Sequence, residues 1–237
     1  MVSCASCKFD KLDNPQYTVN SILPRDSFVK IEVNIKGKSP ALNNGEEMDF
    51  GSAAASGSII RKTRDGSYVL TAQHVCEIEM PQLPVPITES KIAFKVLDID
   101  KRSFDAVIFK ESNTIDTCVI FVKGLTDRPA LKLRGEQPEL GDMVYNLAAP
   151  SGFFDKGMVP TFQGRYSGVF GDVHAIYTIP AMGGSSGSPI VDRRGNLVGM
   201  VFAVHVRFNH ISFSPTTKDL YDFIESIKKA PQNPVDC

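Results

Sequence analysis

A chain of 237 residues, 42% of them hydrophobic, can bury one large core or two closely packed lobes and is not expected to be disordered. Its 26 basic and 27 acidic residues give a net charge of -1, which indicates neither a nucleic-acid partner nor an anionic membrane. The N-terminal residues do not have the pattern of a secretory signal, and no apolar run in the sequence is long enough to cross a bilayer. We therefore expect a soluble cytoplasmic protein, in the host cytoplasm or virion if the chain is viral.

The cysteines indicate reduced thiols, because a disulfide framework would show an even, clustered set. There are five, at scattered positions: Cys4, Cys7, Cys76, Cys118 and Cys237. Cys4 and Cys7 have the spacing of half a zinc knuckle, but no second pair completes four ligands, so a coincidental pair on a frayed terminus is the simpler interpretation. We predict no metal and no cofactor.

The first half of the chain predicts a series of short strands. Residues 1–20 are polar and aperiodic, which is typical of an arm. Phe28–Ile35 alternates apolar and polar residues, as a half-buried strand does, and Lys36–Ala55 is predicted to be a long loop. Gly57–Ile60 and Tyr68–Ala72 form a predicted hairpin that ends at His74.

Two acidic residues in this half precede apolar strands. Strands are predicted over Lys91–Val96 and Ala106–Phe109, and the second of these follows Asp105. Asp116 lies at the start of the apolar run Thr117–Val122, where a carboxylate would be half-buried. A turn aspartate that makes a local cap is the alternative for Asp116.

The second half follows a charged, proline-broken connection over residues 123–137 and again predicts short strands. Their ranges are Gly141–Pro150, Phe162–Val169, Ala175–Ile179, and a hairpin of Ser188–Asp192 with Leu197–Val204. Thr216–Lys229 then places Leu220, Phe223, Ile224 and Ile227 at helical spacing, which predicts an amphipathic helix. About a dozen strands and one terminal helix indicate an all-β barrel or sandwich.

The stretch Gly183–Pro189 is the predicted reactive site of the chain. Small residues there would let the amides of Gly184 and Ser186 point into one pocket and stabilise an oxyanion while the Ser186 hydroxyl attacks a carbonyl carbon. A flexible glycine-serine turn is the alternative. The order His74, Asp116, Ser186 on all-β strands separates this chain from α/β-hydrolases, in which serine comes first, and from subtilisins, in which aspartate comes first.

At these residues the sequence resembles the trypsin-like peptidases, most closely their Deg/HtrA-like branch and related viral and bacterial forms. The resemblance runs from about Phe28 to Phe202 and rests on collinear motifs: Ser56–Ile60, Tyr68–Val75, Asp105–Val107, Ile115–Ile120, Gly141–Val144, Ala148–Gly152, Gly184–Pro189 and Gly195–Gly199. It implies two six-stranded antiparallel β-barrels packed together, with a C-terminal α-helix. The implied bounds are 21–230 for the protease domain, 27–123 for the first barrel, 138–210 for the second, 216–229 for the helix and 231–237 for a tail.

The resemblance also implies the roles of the site residues. His74 would be the general base and acid, Asp116 its orienting carboxylate and Ser186 the nucleophile of a serine endopeptidase acting on polypeptides through an acyl-enzyme. The oxyanion would be bound by amides of Gly184, Ser185 and Ser186. Asp105 is a second candidate for the carboxylate, but the flanking pattern favours Asp116.

Two departures from the family pattern bear on activation and specificity. Ser185 stands where many trypsin-like zymogens carry an aspartate, so we expect no activation by N-terminal cleavage. Pro180 stands where enzymes that cut after Lys or Arg carry an aspartate. An apolar pocket of Pro180, Ala181, Val201, Phe202, Ala203 and Val204 predicts cleavage after a small or medium apolar residue.

Two alternatives stay open. His205 could instead support a pocket that reads Gln or Glu, although its spacing from Gly199 fits poorly. The chain could also be a weakly active or inactive protease-fold module that binds peptides or belongs to a virion or complex. Only the terminal helix follows residue 215, so we expect no C-terminal peptide-binding domain.

Overall fold

The structure is a computed structural model that describes residues 23–41, 46–77 and 89–228, with the backbone alone at residues 89 and 90. The predicted arm at residues 1–20, the Cys4 and Cys7 pair, Cys237 and the predicted tail at 231–237 lie outside these residues.

Six strands in the first half close into an antiparallel barrel in the order β1-β2-β3-β6-β5-β4. The strands are Phe28–Lys38 (β1), Glu47–Lys62 (β2), Gly66–Thr71 (β3), Glu89–Leu97 (β4), Ser103–Ser112 (β5) and Thr117–Lys123 (β6). A four-residue helix, Gln73–Cys76 (α1), follows β3 directly. Strands β3 and β6 are buried along almost their whole length, and β6 contains an unbroken apolar run, Cys118–Val122.

The second half forms a seven-stranded sheet in the order β11-β10-β7-β8-β9-β13-β12, in which every neighbouring pair is antiparallel. Its strands are Met143–Leu147 (β7), Thr161–Phe170 (β8), His174–Tyr177 (β9), Pro189–Asp192 (β10), Leu197–Met200 (β11), Ala203–Val204 (β12) and Ser212–Pro215 (β13). The all-β class and the first barrel are confirmed, whereas the second unit has seven strands rather than the predicted six. The predicted strand Leu197–Val204 divides into β11 and β12, which lie at opposite ends of the sheet order, and the unpredicted β13 is a four-residue strand whose buried residues include its two serines.

The predicted loop Lys36–Ala55 is wrong. β1 continues to Lys38 and β2 begins at Glu47, so most of this stretch is paired, with Lys38 opposite Glu47 and Val33 opposite Ala53. Alanine, glycine and serine have low strand propensity, and the pairing with the neighbouring strand overrides that preference.

The C-terminal helix, Thr217–Lys228 (α2), is confirmed and packs its predicted apolar face into the protein. Its buried residues Leu220, Phe223, Ile224 and Ile227 belong to the same apolar cluster as the interior of the barrel. Two polar contacts tie the helix to the barrel strands: Arg61 donates to the Ile227 carbonyl at 3.1 Å, and Lys110 donates to the Ser226 hydroxyl at 2.7 Å. The helix therefore stabilises the barrel from outside.

The expectation that all cysteines are reduced is wrong for two of them. Cys76 and Cys118 form a disulfide between α1 and β6. Both residues are buried and lie far apart in sequence. Their pairing depends on the folded barrel, so the spacing of the cysteines along the sequence does not predict it.

An ion cluster around the buried Asp98 closes the turn between β4 and β5. The carboxylate of Asp98 is fully buried and accepts bonds from Arg102 at 2.6 Å and from Arg128 at 3.1 Å. Arg128 also bonds Asp100, and Arg102 bonds Asp127 at 2.8 Å. Burial opposes ionisation of Asp98, but the bonds from the two arginines outweigh it and hold its pKa below the ordinary value.

Candidate active site

His74 lies at the start of α1, where the chain leaves the barrel strand β3. Its side chain is 45% exposed, while its neighbours Gln73 and Val75 are buried. The short helix is thus anchored in the core on both sides of His74 and leaves the imidazole exposed.

Asp116 precedes β6 and lies at the end of the 3-10 turn Asn113–Ile115. Its backbone is left-handed, with φ of 45° and ψ of 55°, a conformation that aspartate tolerates better than most residues. This bend turns the half-buried carboxylate back towards α1. Such backbone conformations persist where the surrounding structure holds them, here the barrel strand and the disulfide two residues further on.

The carboxylate of Asp116 holds His74 at two points. The imidazole Nδ1 lies 2.9 Å from Oδ2 of Asp116, and the backbone amide of His74 donates to Oδ1 at 3.0 Å. Burial opposes ionisation of Asp116, but bonds from the His74 side chain and from the amides of His74 and Gln73 outweigh it. They hold the pKa of Asp116 below its ordinary value, so this carboxylate is ionised at neutral pH.

Ser186 reaches the same imidazole from the other half of the molecule. Its Oγ lies 2.8 Å from Nε2 of His74, within hydrogen-bond distance. The structure therefore brings together the three residues that the sequence singled out, two from the barrel and one from the loop before β10.

The loop that carries Ser186 is held by its carbonyl groups. Four consecutive carbonyls each accept one hydrogen bond, and the acceptor and donor pairs are Gly183 with the Ser151 amide (2.6 Å), Gly184 with the Ser56 hydroxyl (2.8 Å), Ser185 with the Ser188 amide (3.0 Å) and Ser186 with the Ser56 amide (2.8 Å). In a trans peptide the N–H points away from the C=O of the same unit. Fixing a carbonyl therefore also fixes the direction of the amide that follows it.

The amides of this loop differ in whether they are engaged. The Ser185 amide donates to the Met182 carbonyl at 2.9 Å, so, unlike the sequence-based prediction, it is not free to donate to an oxyanion. Among the residues that the structure describes, the amides of Gly184 and Ser186 have no acceptor. These two amides are the donors that remain for an oxyanion.

The other candidates of the sequence lie elsewhere. Asp105 is on β5, directly opposite Lys95 of β4, and its exposed carboxylate pairs with Lys95 at 2.7 Å rather than with His74. His205 is exposed in the connection between β12 and β13, where its backbone bonds Ile211 and Phe208.

The six residues of the predicted substrate pocket divide into two groups. Ala181 and Val201 are buried in the apolar cluster of the second sheet, whereas Pro180, Phe202, Ala203 and Val204 are partly exposed. Val201 also braces the nucleophile loop, because its carbonyl accepts from the Gly187 amide at 2.7 Å and its amide donates to the Ser188 carbonyl at 3.0 Å. No charged side chain belongs to this set.

Sequence reasoning missed the polar residues that support the loop from below. Ser56 on β2 contributes two of the donors given above, and Asn146 on β7 donates to the Ser188 hydroxyl at 2.8 Å and to the Pro189 carbonyl at 2.9 Å. Ser56 begins one of the motifs on which the family resemblance rests, and a serine at the start of that motif is the available signal, while nothing local distinguishes Asn146.

Within the described ranges, no group of three or more His, Cys, Asp or Glu side chains could hold a metal ion. Neither helix in those ranges is long and apolar enough to cross a membrane.

Comparison with protein families gives one match, a trypsin-like peptidase domain over residues 55–200. A comparison with curated proteins finds no match. Among solved structures, the active form of the Rv3671c protease from M. tuberculosis is similar, with a TM-score of 0.64 and 18% identity over 90% of this chain and 85% of that one. Its inactive form gives 0.59 and 20% over 86% and 90% of the two chains. A serine endoprotease from Yersinia pestis gives 0.61 and 20%, over 88% of this chain and 65% of that one.

Proposed function

The chain belongs to the trypsin-like peptidases, and as a member of that family we propose that it hydrolyses peptide bonds with Ser186 as nucleophile, His74 as general base and acid, and Asp116 as the orienting carboxylate. The observation that carries the proposal is the continuous chain of contacts from Asp116 through His74 to Ser186, at 2.9 Å and 2.8 Å. A nucleophile, a base within hydrogen-bond reach and a third group that orients the base are the parts that acyl transfer requires.

The proton transfers follow from these contacts. As Ser186 Oγ bonds to the substrate carbonyl carbon, its proton passes to Nε2 of His74. When the tetrahedral intermediate collapses, the C–N bond breaks and His74 gives that proton to the leaving amine, which leaves an acyl group on Ser186. Water then loses a proton to His74 as it attacks the ester, and the Ser186 oxygen regains a proton as the product acid leaves.

Asp116 acts on His74 and touches no substrate in this scheme. With Asp116 ionised, the proton of the neutral imidazole is held on Nδ1, and Nε2 is free to accept from Ser186. The same carboxylate stabilises the imidazolium that forms during each half-reaction.

The negative charge that develops on the carbonyl oxygen would be bound by the amides of Gly184 and Ser186. Their freedom from other acceptors among the described residues supports this assignment. A donor of this kind contributes roughly 3 kcal/mol to transition-state stabilisation.

We further propose that cleavage follows a small or medium apolar residue. The residue six positions before the nucleophile is Pro180, and its neighbour Ala181 is buried among apolar side chains, so a Lys or Arg side chain would meet no counter-charge there. A peptide library should give products whose new carboxyl termini are Ala, Val, Leu or similar residues. A profile dominated by Lys or Arg, or by Gln or Glu, would contradict the apolar pocket.

Labelling with a fluorophosphonate tests the nucleophile. We expect the native protein to be labelled and folded Ser186→Ala to stay unlabelled, because only an activated serine reacts. Absence of labelling in folded native protein would favour a binding module instead.

A matched pair of variants tests the carboxylate. Asp116→Asn should lower kcat about 10⁴-fold by holding the wrong imidazole tautomer, whereas the exposed Asp105→Asn should leave kcat unchanged. The reverse pattern would transfer the role to Asp105.

A further inference from the structure

Ser56 joins three segments of the chain beneath the nucleophile. It lies on β2 of the barrel and is fully buried. Its hydroxyl donates to the Gly184 carbonyl at 2.8 Å and accepts from the Ala149 amide at 2.9 Å, while its backbone amide donates to the Ser186 carbonyl at 2.8 Å. One residue of the barrel thus holds two points of the loop that carries the nucleophile.

The hydroxyl of Ser56 also organises the segment that packs against that loop. Ala149 precedes the turn Pro150–Gly152, and the amide of Ser151 in this turn donates to the Gly183 carbonyl. Ser56 itself therefore holds the peptide between Gly184 and Ser185. The peptide between Gly183 and Gly184, which carries the Gly184 amide, is held by the turn that Ser56 tethers.

Gly184 is the point at which such support is needed. Its φ of 92° lies in the left-handed region, and a side chain there would collide with the Ala149 carbonyl. Glycine is required for this conformation, but glycine also makes rotation of the adjoining peptides easy. Rotation of the peptide between Gly183 and Gly184 would turn the Gly184 amide away from the oxyanion.

The residue before the nucleophile does not supply an alternative anchor. Ser185 has no carboxylate that could pair with a terminal ammonium, and among the described residues its hydroxyl accepts from the Met182 amide alone, at 3.3 Å. The loop is therefore held by neutral hydrogen bonds. The hydrogen bonds from Ser56 come from strand β2 of the barrel, which is distant in sequence from the loop.

We propose that the Ser56 hydroxyl is a positioning group that keeps the Gly184 amide directed at the oxyanion, so that the loop is in its working shape without cleavage of the chain. This inference rests on the proposed peptidase function. Ser56 touches no substrate in it and acts through the orientation of the Gly184 backbone.

The test compares Ser56→Ala with Ser58→Ala. Ser58 is a matched control, because it lies two residues along the same strand, is equally buried, and its hydroxyl has no hydrogen-bond partner among the described residues. Substrate kinetics should show kcat of Ser56→Ala reduced about 10- to 100-fold, below the loss for a deleted oxyanion donor because the amide is displaced rather than removed. We expect KM to change less than about threefold and Ser58→Ala to match the native protein.

Several results would overturn the inference. Native kcat in folded Ser56→Ala would show that the hydroxyl is dispensable, an equal fall in Ser58→Ala would show that burial alone matters, and a rise in KM at constant kcat would point to substrate binding. If Ser56→Ala does not fold, Ser56→Cys fills the same space with a weak donor and should still lose at least about fivefold in kcat. Failure of the native protein to react with a fluorophosphonate would refute the peptidase function itself. That result concerns the native protein alone and is therefore distinguishable from the comparison of the two serine variants.

Discussion

The disulfide between Cys76 and Cys118 joins α1 to β6, next to the hydrogen bonds between His74 and Asp116, the residue just before β6. Cys76 follows His74 by two residues on α1, and Cys118 follows Asp116 by two residues on β6. Both sulfurs are buried in the barrel core. The covalent link should therefore stabilise the barrel and, through it, the geometry of the His74–Asp116 pair.

The size of this effect follows from the length of the closed loop. The two cysteines are 42 residues apart, and the loss of chain entropy in the unfolded state for such a loop corresponds to about 4 kcal/mol. That is a large part of the 5–15 kcal/mol typical of a folded domain. For a domain of this size, loss of the disulfide should lower the unfolding midpoint temperature by about 8–16 °C.

The experiment has two arms. Urea unfolding of the native protein with and without reductant gives the contribution of the bond, and Cys76→Ala/Cys118→Ala gives the same loss plus the cost of two small cavities. The variant serves as a control, since its stability should not respond to the reductant. In the folded variant we expect kcat to fall no more than about tenfold, because His74 and Asp116 keep their own hydrogen bonds.

Peptide mapping without reductant decides whether the loop is closed, because a peptide linked through Cys76 and Cys118 should be found in the native protein. Its absence would contradict the pairing. A linked peptide together with an unfolding free energy that does not change on reduction would refute the entropy reasoning.

The remaining predictions concern the barrel turn and the nucleophile loop. Asp98→Asn should lower the unfolding free energy by about 1.5–3 kcal/mol, because the largely buried Arg128 would lose its charged hydrogen bond to Asp98, while the 43% exposed Arg102 keeps Asp127. Because the pKa of Asp98 is depressed in the folded protein, the stability that its carboxylate contributes is complete above pH ~4 and is lost as the pH falls through the folded pKa. The unfolding free energies of the native protein and the variant should therefore converge in acid. A difference that stays constant with pH would contradict this. Gly187→Ala should abolish fluorophosphonate labelling, because φ is 83° and the methyl would overlap the Ser56 carbonyl, whereas Gly183→Ala has open space and should be labelled normally; equal labelling would refute the steric argument.

The sequence predicted the elements whose signal is local. Alternation of apolar and polar residues located β1, and helical spacing of Leu220, Phe223, Ile224 and Ile227 located α2, because in both cases one face is buried and the other is solvated. The chain order of His74, Asp116 and Ser186 pointed to the family for a similar reason, since each residue lies within a short motif that can be read without knowing its neighbours in space.

Contacts between segments that are distant in sequence could not be predicted from local sequence patterns. The strand pairing of Glu47–Ala55 depends on β1 as a partner, and the small residues of that stretch have little preference of their own. The link between Cys76 and Cys118 likewise exists only because β3 and β6 are neighbours in the barrel.

The same division applies to the active site. The sequence by itself determined which residue types stand near which strand ends; its flanking pattern favoured Asp116 and kept Asp105 as a second candidate. Only the tertiary structure shows which carboxylate contacts His74: the register of β4 and β5 pairs Asp105 with Lys95, and the left-handed bend before β6 turns Asp116 towards His74. Ser56 became visible in the same way, because hydrogen bonds to a loop 128 residues away depend on how the two halves pack, and no periodicity along the chain encodes that contact.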